Sequence, residues 1–240
     1  MFNSLCLSKQ QPPESVASEF RSGAYSLAAQ TLPFVVVICG SPGCGKSTLI
    51  QEMVKRLPST LRMGVVFANA PLMDDDIARL TARCRRVTSV QSESLGCTRF
   101  NDLLDHLGAD DLDLILIESS WNSSSDSAMA PVEAAHVSVL SAAAGHDQPA
   151  RYPQRLRRAD LVLLTKVDLM DVVSFDIAAF RREVAARSAA ALQEVSARNG
   201  AGMDQWIQWI EAGVARHNRL GDSSAAAGRL ESEKPEFYLG

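Results

Sequence analysis

One segment, Gly40-Ser41-Pro42-Gly43-Cys44-Gly45-Lys46-Ser47-Thr48, carries residue types that can grip a polyphosphate. It fits G-x-x-x-x-G-K-[ST], in which the glycines let successive backbone N–H groups point at phosphate oxygens. We predict that Lys46 reaches the β- and γ-phosphates and that Ser47 ligates Mg²⁺. An apolar run precedes the segment and a helical pattern follows it, which is the context that this chemistry needs.

Two later segments have the chemistry of a guanine site. Asp168, in Thr165-Lys166-Val167-Asp168, can accept hydrogen bonds from guanine N1–H and the 2-amino group, and adenine lacks that pair of donors. Lys166 would lay its stem along the base. Ser196-Ala197 would place backbone N–H groups near guanine O6. These segments favour GTP over ATP, and an ATP-dependent small-molecule kinase is the alternative.

The predicted nucleotide-binding residues come from these three segments. They are Gly40, Ser41, Gly43, Cys44, Gly45, Lys46, Ser47, Thr48, Thr165, Lys166, Asp168, Ser196 and Ala197. Cys44 lies near Lys46 and a predicted helix N-terminus, which would lower the pKa of its thiol. A redox-sensitive thiol is therefore an option, but we expect Cys44 to be a small filler of the loop.

Apolar runs alternate with helical patterns along most of the chain. The predicted strands are 33–39, 63–68, 86–90, 112–117, 136–140, 161–164 and 192–195, and the predicted helices are 48–57, 75–85, 100–107, 175–187 and 203–216. This alternation predicts an α/β P-loop NTPase fold, with a doubly wound, mostly parallel sheet and helices on both faces. We predict a partly helical extension at 1–30, a nucleotide-binding domain at 31–217 and a flexible tail at 218–240.

Composition limits the classes of function. The net charge of −4 gives no reason to expect nucleic-acid binding. Five cysteines, at 6, 39, 44, 84 and 97, form no C-x-x-C pair, which argues against a disulfide framework and a zinc ribbon. No apolar run is long enough to cross a bilayer, and the N-terminus does not read as a signal peptide. We expect a cytoplasmic protein with no membrane partner.

Four segments, in this order and spacing, resemble the nickel-insertion GTPases of hydrogenase maturation, the HypB family. They are the phosphate loop, AGHDQPARYP at 144–153, ADLVLLTKVDL at 159–169 and SARNGAGMDQWIQWI at 196–210. The urease-accessory UreG proteins are close cousins, and GHDQPARYP favours the hydrogenase branch. The resemblance covers about residues 14–212.

The resemblance implies a GTPase that forms a homodimer when GTP is bound. Nickel would sit at the dimer face, and hydrolysis would promote its transfer to an apo-metalloenzyme through an accessory maturation protein. Glu118 matches the family's acidic residue, so the implied catalytic residues are Lys46, Ser47 and Glu118. Cys97 matches the cysteine of the family's metal motif, which begins Gly-Cys-His, and is the implied ligand for nickel or zinc.

The sequence departs from the family at four positions. Thr98 replaces the histidine after Cys97, and Ser125 stands near a further family cysteine. Ala70 replaces an aspartate that helps to hold Mg²⁺, and Trp121 replaces a glycine that senses the γ-phosphate. We therefore expect slow hydrolysis. The alternative is a divergent paralogue that binds GTP as a regulatory or interaction module without nickel transfer.

Overall fold

The computed structural model describes residues 32–68, 74–90, 103–104, 107–120 and 134–232, with the side chains of 74, 76 and 222–232 left out. The predicted extension at 1–30 lies outside these ranges. So do five residues discussed above: Ala70, Cys97, Thr98, Trp121 and Ser125.

A strand forms at each of the predicted strand segments. They are β1 (Phe34–Gly40), β2 (Met63–Ala68), β3 (Arg86–Val90), β4 (Leu114–Ser120), β5 (Ala135–Ser141), β6 (Leu161–Thr165) and β7 (Ala191–Val195). The sheet order is β3-β2-β4-β1-β5-β6-β7, and each pair of neighbours is parallel. The central strands β4 and β1 are buried almost throughout, as expected of a sheet covered on both faces.

Helices occupy the segments between the strands. They are α1 (Lys46–Arg56), α2 (Asp74–Thr81), α3 (Gln148–Arg151), α4 (Pro153–Leu156), α5 (Ile177–Ala185) and α6 (Met203–Ser232). Short 3₁₀ turns lie at Ala109–Asp111, Ala142–Ala144 and Val167–Leu169. The sequence did not predict α3 and α4, because four residues are too few to show a helical period.

Apolar clusters cover both faces of the sheet. On one face Val36 and Ile38 of β1 pack with residues of α1 and α6, including Met53 and the fully buried Trp206. On the opposite face two clusters form. One holds Val35, Val37, Leu103, Leu104 and Leu107, and the other holds Leu140, Leu164, Phe180 and Val184. The predicted doubly wound α/β fold is therefore confirmed.

The last helix is longer than the sequence suggested. We predicted that it ends at Arg216 and that 218–240 form a flexible tail, but α6 continues to Ser232. Alanine has the highest intrinsic helix propensity, so the three alanines at 225–227 offset the low helix propensity of Gly221 and Gly228. The other predicted domain boundaries stay predictions. Among the described residues, no helix is both long and apolar enough to span a membrane.

Candidate nucleotide-binding site

The site lies at the carboxyl ends of the parallel strands. β4 and β5 flank β1 on opposite sides, and the loop after β1 leads directly into α1. In an open parallel sheet, ligands bind at this kind of switch point, outside the strand ends. The segments after β1, β6 and β7 all begin at this edge, which brings the three predicted binding segments together.

Glycine conformations shape the phosphate loop. Gly43 has φ 75° and Gly45 has φ 96°, in the left-handed region that favours glycine. A side chain at Gly40 would place Cβ 2.5 Å from Cys44 Sγ and 2.8 Å from Val139 O. The loop therefore turns back against its own start, and the N-terminus of α1 follows at Lys46.

Lys46 folds back across this loop. Its side chain is almost fully buried, and Nζ donates to Gly40 O at 3.1 Å and to Ser41 O at 3.2 Å. Glu118 Oε1 lies 3.9 Å from the same ammonium. The cation is thus held at the phosphate loop by two carbonyls and a carboxylate. It adds to the positive end of the α1 dipole at this point.

Ser47 and Glu118 form a pair of oxygen ligands beside Lys46. Ser47 Oγ donates to Glu118 Oε1 at 2.9 Å, and the Glu118 side chain is buried at the end of β4. A hydroxyl and a carboxylate are hard oxygen donors, the kind of ligand that Mg²⁺ prefers. These residues fit the predicted Mg²⁺ site. Within the described part of the chain, no group of three or more His, Cys, Asp or Glu side chains is placed to hold a metal.

The segment after β6 touches the phosphate loop. Thr165 Oγ1 lies 2.6 Å from Cys44 O and 3.0 Å from Leu140 O. Lys166 has φ 57°, and its Nζ donates to Gly43 O at 2.7 Å. Both side chains therefore contact loop carbonyls, a relationship that the sequence motif did not specify.

Asp168 and Ser196 meet at the other end of this segment. Ser196 is fully buried, and its Oγ donates to Asp168 Oδ1 at 2.6 Å. Ser196 Oγ also accepts hydrogen bonds from the backbone N–H groups of Arg198, at 3.3 Å, and Asn199, at 3.4 Å, in the turn that follows β7. The carboxylate is thereby fixed beside Ala197. This arrangement suits a guanine ring that donates to the acid.

Burial changes the interpretation of Cys44. Burial raises the pKa of its thiol, although the nearby Lys46 ammonium acts in the opposite direction. The thiol is therefore protonated at neutral pH and packs against the start of the loop. This favours the filler role over a redox-sensitive thiol.

Two predicted site residues are not part of the contacts described above. Thr48 is exposed on α1. Cys97, the predicted nickel or zinc ligand, lies outside the described residues. The other predicted nucleotide-binding residues lie in the phosphate loop and in the loops after β6 and β7.

Gln148 is a residue that sequence reasoning did not single out. Its buried Nε2 donates to Ser141 O and Gly145 O, each at 2.7 Å, and Ser141 N donates back to Oε1 at 3.3 Å. Ser141 pairs with Thr165 in the sheet, so this amide shapes the loop beside the phosphate site. Its only signal was membership of the AGHDQPARYP segment.

The fold and this site define a P-loop nucleotide-binding protein. The family described as CobW/HypB/UreG, nucleotide-binding domain, matches residues 34–193. The chain therefore belongs to this family.

Known proteins support the assignment. HypB of Escherichia coli K12, a hydrogenase maturation factor, is 33% identical over 183 residues, which are 74% of this chain and 62% of that protein. The match thus spans less than two thirds of the relative. The solved HypB of Archaeoglobus fulgidus superposes with a TM-score of 0.66 at 23% identity, over 76% of this chain and 90% of that one. HypB of Helicobacter pylori, solved in complex with nickel, gives 0.61 at 22% identity, over 77% and 88%. Both structures bear out the fold.

Proposed function

We propose that this protein binds GTP with Mg²⁺ and hydrolyses it as an accessory GTPase in nickel-centre assembly of the hydrogenase-maturation type. One observation carries the proposal. The buried Lys46 ammonium, the Ser47 hydroxyl and the Glu118 carboxylate converge at the mouth of a glycine loop. A cation, a pair of hard oxygen ligands and a helix N-terminus in one place suit a metal-bound polyphosphate.

The proposed roles follow from these positions. Lys46 stabilises negative charge on the β- and γ-phosphates, since its ammonium already lies among the loop carbonyls. Ser47 and Glu118 hold Mg²⁺, directly or through water. When bound, Mg²⁺ neutralises charge on the phosphate oxygens.

Guanine selection rests on Asp168 in this proposal. Its carboxylate accepts from N1–H and the 2-amino group, while Ser196 fixes its orientation by the 2.6 Å hydrogen bond to Oδ1. A site built to pair with these donors discriminates against a base that lacks them, because the carboxylate would be left without partners.

Nickel delivery is supported by family membership and by Cys97, which matches the cysteine of the family's metal motif. The chain belongs to the family that includes HypB, and the H. pylori HypB was solved with nickel. Cys97 is the candidate ligand for nickel or zinc cargo. We propose a cytoplasmic protein that forms a homodimer with GTP and works with an accessory maturation protein and an apo-metalloenzyme.

The test combines turnover with metal binding. Phosphate release from GTP and from ATP is measured for the wild type and for Lys46→Ala, and Ni²⁺ and Zn²⁺ are titrated with and without a non-hydrolysable GTP analogue. We expect GTP-selective release and loss of GTP binding by roughly 100-fold in Lys46→Ala, since a buried point charge vanishes. Lys55→Ala, an exposed lysine of the same helix, is the matched control. Unchanged affinity and rate in Lys46→Ala would contradict the proposal.

A second function is favoured by the substitutions at the metal motif. Thr98 and Ser125 stand where the family has a histidine and a cysteine, and one thiolate cannot complete a nickel site. The alternative is a GTP-binding regulatory or interaction module. Slow turnover without any metal stoichiometry in the titration would favour this second function.

A further inference from the structure

The segment that contains α3 and α4 carries an unbalanced positive charge. Residues 148–159 include four arginines, at 151, 155, 157 and 158, and no aspartate or glutamate, although the whole chain has a net charge of −4. We call residues 151–158 the basic strip. Arg151, Arg157 and Arg158 are exposed. A local excess of one sign of charge creates a positive potential at this part of the surface.

The fold holds the end of the basic strip in place. Leu156 is fully buried in the core. Four residues later, the backbone N–H of Asp160 donates to His136 O at 2.8 Å. Arg157 and Arg158 lie between these two anchors. Their backbone is therefore fixed while their side chains extend into water, which lowers the entropic cost of binding a partner there.

The carboxylates at either end of the basic strip are already engaged. Asp147 Oδ1 accepts from Arg151 Nη2 at 2.8 Å, and Asp160 Oδ2 accepts from a backbone N–H of β5 at 2.7 Å. Arg157 and Arg158 form no ion pair with any residue that the structure describes. Two guanidinium groups, each a planar set of donors that matches a carboxylate, thus face water with their charge uncompensated.

The surroundings of these arginines favour one class of anionic partner. Binding to a lipid surface would need exposed apolar residues beside the charges, but Leu156 is buried. Binding to a nucleic acid would need enough cations to neutralise many phosphates, and the chain has a net charge of −4. A short, rigid basic strip is better suited to a carboxylate-rich segment of a protein.

We propose that the basic strip, through Arg157 and Arg158, is a docking surface for an acidic segment of a partner protein. The two arginines lie just before the amino end of β6, whereas the phosphate loop follows the carboxyl end of β1 in the same parallel sheet. The inference therefore does not depend on the proposed nucleotide function. Opposite charges at such a surface give fast association that weakens with salt.

The test uses the 240-residue chain without nucleotide and three probes. Fluorescence anisotropy measures binding of a labelled glutamate-rich peptide and of a single-stranded RNA of equal charge, and co-sedimentation measures binding to phosphatidylserine vesicles. The test variant combines Arg157→Glu with Arg158→Glu, and a milder variant replaces both residues with Gln. The matched control combines Arg79→Glu with Arg216→Glu, because these arginines are exposed on other helices and the net charge changes equally.

We expect the wild type to bind the peptide, and the double charge reversal to weaken this binding by roughly tenfold, since each exposed charge contact contributes little by itself. The Gln variant should fall between the two, and the control should resemble the wild type. An increase in salt from about 0.05 M to about 0.5 M should weaken wild-type binding. GTP affinity of the charge-reversal variant should be unchanged, because the phosphate loop lies at the other edge of the sheet.

Four results would overturn the inference. They are a wild type that does not bind the peptide, an equal loss in the control, tighter binding of RNA or vesicles than of the peptide, and wild-type dimers that the charge reversal abolishes. The last would assign the basic strip to a second copy of the chain. A wild type that binds the peptide but no GTP would support this inference and overturn the proposed nucleotide function.

Discussion

The hydroxyl of Ser47 donates a 2.9 Å hydrogen bond to the carboxylate of Glu118, 71 residues further along the chain. The bond joins the first turn of α1 to the end of β4, which lies beside β1 in the sheet. The proposed Mg²⁺ site therefore needs no rearrangement of the fold to bring its ligands together.

Glu118→Gln tests this pair. The amide keeps the shape of the side chain but removes the negative charge that faces Lys46 and the proposed Mg²⁺. We expect turnover of GTP to fall by roughly 100-fold, since charge placement is the main catalytic term in phosphoryl transfer. The measurement is steady-state phosphate release over a Mg²⁺ titration. Glu52→Gln, a carboxylate paired with Lys55 on α1, is the control, and equal rates in both variants would refute the role.

Asp168→Asn tests the assignment of the base. The amide can donate where the carboxylate only accepts, so it suits the 2-carbonyl oxygen of xanthine in place of the 2-amino group of guanine. We expect GTP affinity to fall and XTP affinity to rise, measured by competition with a fluorescent analogue. Asp171→Asn, on the exposed turn that follows, should leave both affinities unchanged. Tight, selective GTP binding by Asp168→Asn would argue that another group reads the base.

Sequence patterns were sufficient for the sheet and for the phosphate loop. β2 begins and ends at the predicted residues, because it is one apolar run bounded by the polar residues Arg62 and Asn69. The loop motif also contains its own conformational requirement, namely glycine at 43 and 45. The strand segments and the phosphate loop could therefore be predicted from local residue types.

Other features depend on contacts that no local pattern contains. Thr165 could be recognised as part of a guanine-type segment, but its contact with Cys44 depends on how two loops pack. The helical continuation of α6 beyond Arg216 was missed because the segment's small and polar residues suggested a tail. The role of Gln148 also depends on the burial of its amide between Ser141 and Gly145.

Gly202→Ala tests whether the loop after β7 tolerates a side chain. Gly202 has φ 70°, and a Cβ there would collide with Glu194 O, so the backbone has to move. We expect a loss of several kcal/mol of stability, beyond the roughly 1 kcal/mol of left-handed strain alone. Gly43→Ala is the matched control, with φ 75° and no atom within 4 Å of its Cβ. Urea denaturation of both variants measures the difference, and equal destabilisation would contradict the steric argument.

An ion pair at the opposite edge of the sheet predicts how stability depends on pH. Arg62 donates to Asp113 through Nε at 3.0 Å and Nη2 at 2.5 Å, and these hydrogen bonds lower the pKa of Asp113 from its usual value. Because the pKa is lower in the folded state, the stabilisation is complete above the unfolded pKa of about 4 and disappears as pH falls through the folded pKa.

The variant Asp113→Asn removes this titration. Its stability should be lower than that of the wild type at pH 7, and the difference should shrink as the pH falls from about 5 towards 2. Urea midpoints over that range are the measurement. Asp147→Asn is the control, because its partner Arg151 also lowers the pKa of Asp147 but the carboxylate is exposed and screened by water. An Asp113→Asn curve parallel to the wild type from pH 7 to pH 2 would show that this pair does not contribute to acid sensitivity.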